Sequence, residues 1–114
     1  SLLPKKKRIT KKREFDLVFK KGKTFKNDFL TFKLLKNHFL EGRFGFIVGK
    51  NVSKKGTVRN KVKRQLRHAL GQEIKNIKSN VAGVFIAQSG IEKKTFFEVK
   101  KATIGFLDKA NSLK

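Results

Sequence analysis

Cysteine, methionine, tryptophan and tyrosine are all missing from the 114 residues, proline occurs once, and eight carboxylates face thirty Lys and Arg. Without cysteine neither a disulfide framework nor a thiolate metal site can form, which fits a reducing compartment. Long apolar runs are missing too. Leu2 and Leu3 are followed at once by Pro4, Lys5 and Lys6, so no stretch reaches signal-peptide length and none is long enough to span a bilayer. The expectation is a cytoplasmic protein that does not use a membrane. The shortage of acid leaves a net charge of +22, costly in self-repulsion once the chain is compact, and a polyanionic partner would offset it. A hydrophobic share of 38% with 12 Phe argues for a folded domain rather than a basic disordered tail. The length suits one core. Residues 1–9 read as a basic arm, 10–110 as a single α/β domain, and 111–114 as a tail that should fray.

What the chain does have is concentrated in residues 50–71, KNVSKKGTVRNKVKRQLRHALG. Val58, Val62, Leu66, Ala69 and Leu70 recur at intervals of three and four, the period that lines one face of a helix. Arg59, Asn60, Lys63, Arg64 and Arg67 repeat at the same spacing on another flank, with no carboxylate between Glu41 and Glu73 to neutralise them. A docked helix would hold these cations in a fixed row towards solvent. Arg offers a planar fork and Lys a point charge, which suits a phosphate-bearing partner.

Elsewhere the punctuation is legible. Pro4 to Arg8, PKKKR, matches the general pattern of a nuclear import signal, yet this composition supplies adjacent cations by itself, and a solvated arm that touches phosphate is the commoner outcome. Thr10 can cap a helix running through Lys21, with Gly22 at its end; it carries Phe15, Val18 and Phe19 at helical spacing beside Leu17. Both Phe rings read first as core, and second as stacking surfaces flanked by Lys12, Arg13 and Lys20. Residues 25–36 read as one strand with Phe29 and Thr31 on one face and Leu30, Phe32 and Leu34 on the other. A turn over residues 37–42 leads to a second strand, 43–49, with Phe44, Phe46 and Val48 on one side. Gly45, Ile47 and Gly49 occupy its other side, where two glycines suggest close approach by another backbone or a ligand. Gly56 permits a chain reversal and Thr57 can cap the basic helix, which should end at Gly71. Residues 72–80 read as a polar linker, and 81–88, VAGVFIAQ, as a buried strand. Thr95 and Glu98 form a capping box for a last helix with Phe96, Val99, Thr103, Phe106, Leu107 and Ala110 on its apolar face.

Nothing here assembles a protein active site for phosphodiester cleavage. His38 reads as an exposed turn residue, and His68 as a phosphate or helix-end contact. Glu14 and Asp16 point to different sides of a helix, and no P-loop, dinucleotide fingerprint, HExxH or zinc pattern occurs. A stand-alone nuclease would need a constellation that the spacing does not supply.

Lys50, a basic loop, Gly56, and then Arg59-Asn60-x-x-Lys63-Arg64-x-x-Arg67 resemble the RNR signature of the bacterial ribonuclease P protein family. Phe15-x-x-x-Phe19-Lys20-x-Gly22 looks like that family's first helix, and Arg43-x-Gly45 like the strand before the signature. The resemblance runs from about Lys7 to Ala110. It implies an α/β (α+β) fold, a small two-layer sandwich of order α-β-β-β-α-β-α, similar to domain 2 of ribosomal protein S5, with a left-handed βαβ crossover against the usual hand.

The resemblance also implies a function. An RNA subunit would be the catalyst, and the protein, with no catalytic residues, would bind that RNA and the 5′ leader of precursor tRNA and raise the affinity of Mg2+ ions held through the RNA. No obligate protein partner is implied. Carried over by position, Arg59, Asn60, Lys63, Arg64 and Arg67, extended by Lys50 and Lys54, would face the RNA subunit. Phe15, Phe19 and Phe32 would line the leader cleft, stacking on unpaired nucleotides of many sequences. Two positions depart from the family's pattern: His68 stands where an acidic residue or Gln is frequent, and Gly56 where Ala is common. A generic basic RNA-binding or ribosomal-type protein would explain the charge and the Phe content, but not the signature spacing.

Overall fold

A computed structural model describes residues 3–36 and 42–114. The turn read at 37–42, apart from Gly42, and His38 within it lie outside the described residues. The elements are α1 (Lys12–Lys21), β1 (Lys23–Lys26), β2 (Leu30–Lys36), β3 (Phe44–Ile47), α2 (Gly56–Glu73), β4 (Val81–Ala87) and α3 (Phe96–Lys109). Their order is the α-β-β-β-α-β-α that the resemblance implies. The four strands form one sheet in the order β1-β2-β4-β3. β2 runs antiparallel to both β1 and β4, whereas β3 and β4 are parallel and are joined through α2.

The strand read across residues 25–36 is in fact a hairpin. Asn27 breaks it: its Oδ1 accepts the backbone N–H groups of Phe29 and Leu30, each at 2.9 Å, and such a side-chain turn competes with the strand ladder. β1 then folds back on β2 with Phe25 opposite Phe32. Phe85 of β4 lies opposite both Phe32 and Phe46, so four Phe form a row across all four strands. The Phe32 and Phe85 rings stack at 4.2 Å, and Phe46 stacks on Phe85 at 5.8 Å. Such pairs contribute about 0.5–1.5 kcal/mol beyond area burial. Val62, Leu66 and Leu70 of α2 and Val99, Phe106 and Leu107 of α3 close over this face and make the main core.

Helix ends follow local chemistry more than the capping candidates of the sequence. α1 begins at Lys12 without help from Thr10; the Lys11 N–H instead donates to Glu14 Oε1 at 3.4 Å. α2 begins at Gly56, so Thr57 sits inside its first turn, and it runs past Gly71 to Glu73 and a 3₁₀ turn over Ile74–Asn76. The capping box of α3 forms as read: Glu98 N–H donates to Thr95 Oγ1 at 3.1 Å and Thr95 N–H to Glu98 Oε1 at 3.0 Å. The backbone bond from Thr95 holds the Glu98 carboxyl below the ordinary carboxylate range.

Both ends of the described chain are pinned. Leu3 and Ile9 are buried, Arg8 bridges to Phe44, and Ile9 N–H donates to the Phe44 carbonyl at 2.8 Å. The basic arm therefore runs along the free edge of β3 and is not simply solvated. At the other end Ser112 is fully buried, its carbonyl accepts from Lys78 N–H at 2.8 Å, and Lys114 N–H donates to the Asn76 carbonyl at 2.7 Å. These bonds replace the expected fraying.

Candidate nucleic-acid interface

Burying Val62, Leu66, Ala69 and Leu70 fixes the rotation of α2 and hence the direction of its cations. The signature residues divide into two sets. Arg59, Lys63 and Arg67 recur every four residues and are half-buried. Arg59 Nη1 donates to the carbonyls of Ser53 and Lys54 at 3.0 and 2.9 Å, so this guanidinium ties the preceding loop to the helix. Val52 is buried and its N–H donates to the Gly49 carbonyl at 3.1 Å, which anchors the same loop and leaves Lys50 and Lys54 exposed. Asn60 and Arg64 are exposed on the other flank, where α2 faces the start of α3.

Arg67 is the electrostatically unusual member. Its Nε is buried without a hydrogen-bond partner. Desolvation first, and the nearby Arg8 charge second, pull its guanidinium below the ordinary Arg range. Arg8 Nε itself donates to the Leu3 carbonyl at 2.8 Å. Among the described residues no carboxylate is paired with either guanidinium, so an anion here would relieve both desolvation and repulsion.

The opposite face of the sheet carries α1. The helix crosses from β3, where Phe15 lies on Gly45, to β2, where Gly22 approaches the Leu34 carbonyl. A Cβ on Gly45 would stand 2.5 Å from Phe15 Cε1 and 2.9 Å from Cζ, so the glycine is the seat of that ring; the close neighbour is a side chain of α1, not the backbone or ligand that the strand face suggested. Arg43 adds the clamp: its Nη1 donates to Glu14 Oε2 at 2.7 Å. Arg43-x-Gly45 therefore positions α1 through one ion pair and one missing side chain. Phe19, 37% exposed, lies beside Phe15 with ring centroids 6.5 Å apart. The row Thr31–Ile86–Ile47 on this face stays half-buried, and Gln88 Nε2 donates to Thr31 Oγ1 at 3.3 Å. Phe15, Phe19 and this row make a partly open, mixed apolar and polar surface.

Phe32 is not part of it. It is 0% exposed and stacks between Phe85 and Phe106 on the α2–α3 side of the sheet, so its ring offers no face to a ligand. In an alternating strand the two sets of residues look alike in sequence, and here the set with Phe32 is the core. Sequence reasoning missed Arg8, the Glu14–Arg43 pair and the Thr31–Gln88 pair. The helical placement of Glu14 and its distance from Arg43 in sequence concealed the clamp, while the nearly unbroken apolar run of β4 concealed that Ile86 faces an incompletely covered side.

This fold has known counterparts. The profile of the ribonuclease P family matches residues 3–111. The chain belongs to the ribonuclease P protein family. It is 36% identical to the ribonuclease P protein component of Syntrophomonas wolfei over 96% of this chain and 91% of that protein. It is 35% identical to that of Clostridium botulinum over 93% of this chain and 96% of the relative. Among solved structures, the RNase P protein of Thermotoga maritima superposes with a TM-score of 0.78 at 26% identity, covering 90% of this chain and 96% of that one. The Staphylococcus aureus protein, at 23% identity, shares the fold with a TM-score of 0.83 over 95% of this chain and 98% of its own. The chain is thus a ribonuclease P protein component, part of the holoenzyme that processes tRNA, and RNA partners follow from that membership. The reading as a generic ribosomal-type protein is not favoured.

Proposed function

We propose that this ribonuclease P protein component works without catalytic residues of its own, binding the RNA subunit through α2 and the 5′ leader of precursor tRNA through α1 and the open sheet face. The observation that carries this reading is the separation of the two surfaces. Arg64, Lys63 and Arg67, with Lys50 and Lys54 on the anchored loop, present cations from one rigid element, and Asn60 adds an amide beside them. Phe15 and Phe19 present aromatic surface from another, which packs on the opposite face of the sheet. Fixed cations recognise a folded phosphate backbone, whereas stacking on Phe accepts unpaired nucleotides of any sequence. One protein can then serve many precursors.

Among the described residues no three His, Asp or Glu side chains come together to hold a metal ion, so the donors present do not fit a resident magnesium site. In this reading Mg2+ would be held through the RNA subunit and would supply metal-ion chemistry there, with no ligand from this chain. The protein's part is to hold leader and RNA together against phosphate repulsion, which leaves more of the metal sites filled at low Mg2+. No described helix is long and apolar enough to cross a membrane, and the cytoplasm, where tRNA precursors are made in bacteria, is the compartment we assign.

The reading is tested by comparing the affinity of the reconstituted protein–RNA complex for precursor tRNA and for mature tRNA. A preference for the precursor that falls about tenfold with Phe19→Ala is the expected result, one stacked base being worth roughly that factor. Equal affinity for both tRNAs would contradict the assignment of a leader surface.

A further inference from the structure

Between α2 and the first turn of α3 lies a groove of about 570 Å³, within the range of about 300–1,000 Å³ typical of small-ligand sites. One wall is aromatic: the His68 and Phe96 rings meet edge to face, 5.2 Å apart and at 88°. Asn60, Gln65 and Thr57 bring two amides and a hydroxyl to the lining, and Lys61 and Arg64 bring two cations. Among the described residues no carboxylate lines it. Amides match the mixed donors and acceptors of a base edge, an aromatic ring matches a base face, and the cations match flanking phosphate.

We propose that this groove receives a single unpaired nucleotide of the RNA subunit, its base stacked on Phe96 and its edge read by Asn60 or Gln65. The proposal deepens the reading of α2 as the RNA-subunit face and rests on it. The groove explains the division of the signature helix. Arg59, Lys63 and Arg67 lie on the flank beside the anchored loop and the N-terminal segment, whereas Asn60 and Arg64 belong to a pocket whose aromatic wall joins His68 of α2 to Phe96 of α3. A strongly basic lining favours a nucleotide within an RNA strand, whose neighbouring phosphates reach Lys61 and Arg64, over an uncharged ligand. Phe97, the next residue, is 71% exposed and does not line the groove, which makes it an internal control.

The test is the affinity of the full chain for a ribonuclease P RNA transcript at several salt concentrations, with chemical probing of base reactivity in the complex. Phe96→Leu keeps apolar volume but removes the stacking ring, and circular dichroism verifies its fold. It should weaken binding about tenfold with an unchanged slope of log K against log salt, because every cation that neutralises a phosphate is still in place. Phe96→Tyr and Phe97→Ala should bind like the wild type. One unpaired base of the transcript should be protected by the wild type and become reactive with Phe96→Leu. If the wild type binds the RNA and Phe96→Leu binds it equally well, the groove proposal is overturned while the broader reading stands. If the wild type does not bind the RNA, both fall. Adenosine monophosphate shifting the Phe96 NMR signals, while Phe96→Leu leaves RNA affinity intact, would make the groove a site for free nucleotides and would also overturn the proposal.

Discussion

Gly45→Val is expected to impair binding of precursor tRNA through its leader while leaving affinity for the RNA subunit close to that of the wild type. The new Cβ would stand 2.5 Å from Phe15 Cε1 and 3.4 Å from Ile9 Cβ, and the strand cannot retreat because Gly45 is paired in parallel with Val84. The ring must therefore swing off the sheet. Overpacking of this kind costs about 1–3 kcal/mol, a value kept moderate here because Phe15 is only half-buried and can move outwards. The functional loss is larger, since Phe15 also sets the position of Phe19, 6.5 Å away. With the stacking surface displaced, affinity for a leader-bearing precursor should fall about tenfold, with little change for mature tRNA. Binding assays on both tRNAs, with urea unfolding to report the stability change, check the prediction. A loss that is equal for both substrates would mean that Gly45 matters only for folding.

The second large effect concerns the cations of α2. Arg64→Ala and Arg67→Met should each weaken RNA-subunit binding and each reduce the slope of log K against log salt by about 0.9 for every phosphate left without its cation. The two differ in what they do to the free protein. Arg64 is exposed and its removal should leave stability unchanged. Arg67 has a buried Nε with no partner and sits beside Arg8. Replacing it with Met, which retains most of the apolar stem, removes a desolvated and repelled charge, so the free protein should be as stable or more stable. Weaker RNA binding from a more stable protein would identify Arg67 as a residue kept for its partner. A destabilised Arg67→Met would show instead that the guanidinium supports the fold. Phe15→Ala should leave the salt slope untouched, which separates the two surfaces in one experiment.

Much of this was legible in the sequence because the basic helix is amphipathic in charge as well as in hydropathy. Val62, Leu66, Ala69 and Leu70 could only face a core, and their period put Arg64 on the exposed side of the helix. The Thr95–Glu98 box and Gly45 were legible for similarly local reasons. Phe32 was not. Its alternation with Thr31 and Lys33 fits either face of a sheet, and only Phe85 and Phe106, more than fifty residues away, decide that it is core. Asn27 concealed a turn inside an apolar stretch, since a single side chain accepting two N–H groups leaves little trace in composition. Arg8 and Lys114 were read as parts of loose ends, yet the edge of β3 and the carbonyl of Asn76 hold the backbone at these positions. The splitting of Arg59, Lys63 and Arg67 from Asn60 and Arg64 depends on where the loop before α2 and the start of α3 lie, which no helical wheel contains.

The central claim is that this chain assists an RNA catalyst and does no chemistry itself. It is tested most directly by cleavage of a 5′-extended precursor tRNA at low Mg2+ with three samples: the protein alone, a bacterial ribonuclease P RNA alone, and the two together. The account predicts cleavage at the mature 5′ end only in the mixture, with Phe15→Ala and Arg64→Ala both reducing it. Cleavage by the protein alone would contradict the account, because it would place an active site in the protein.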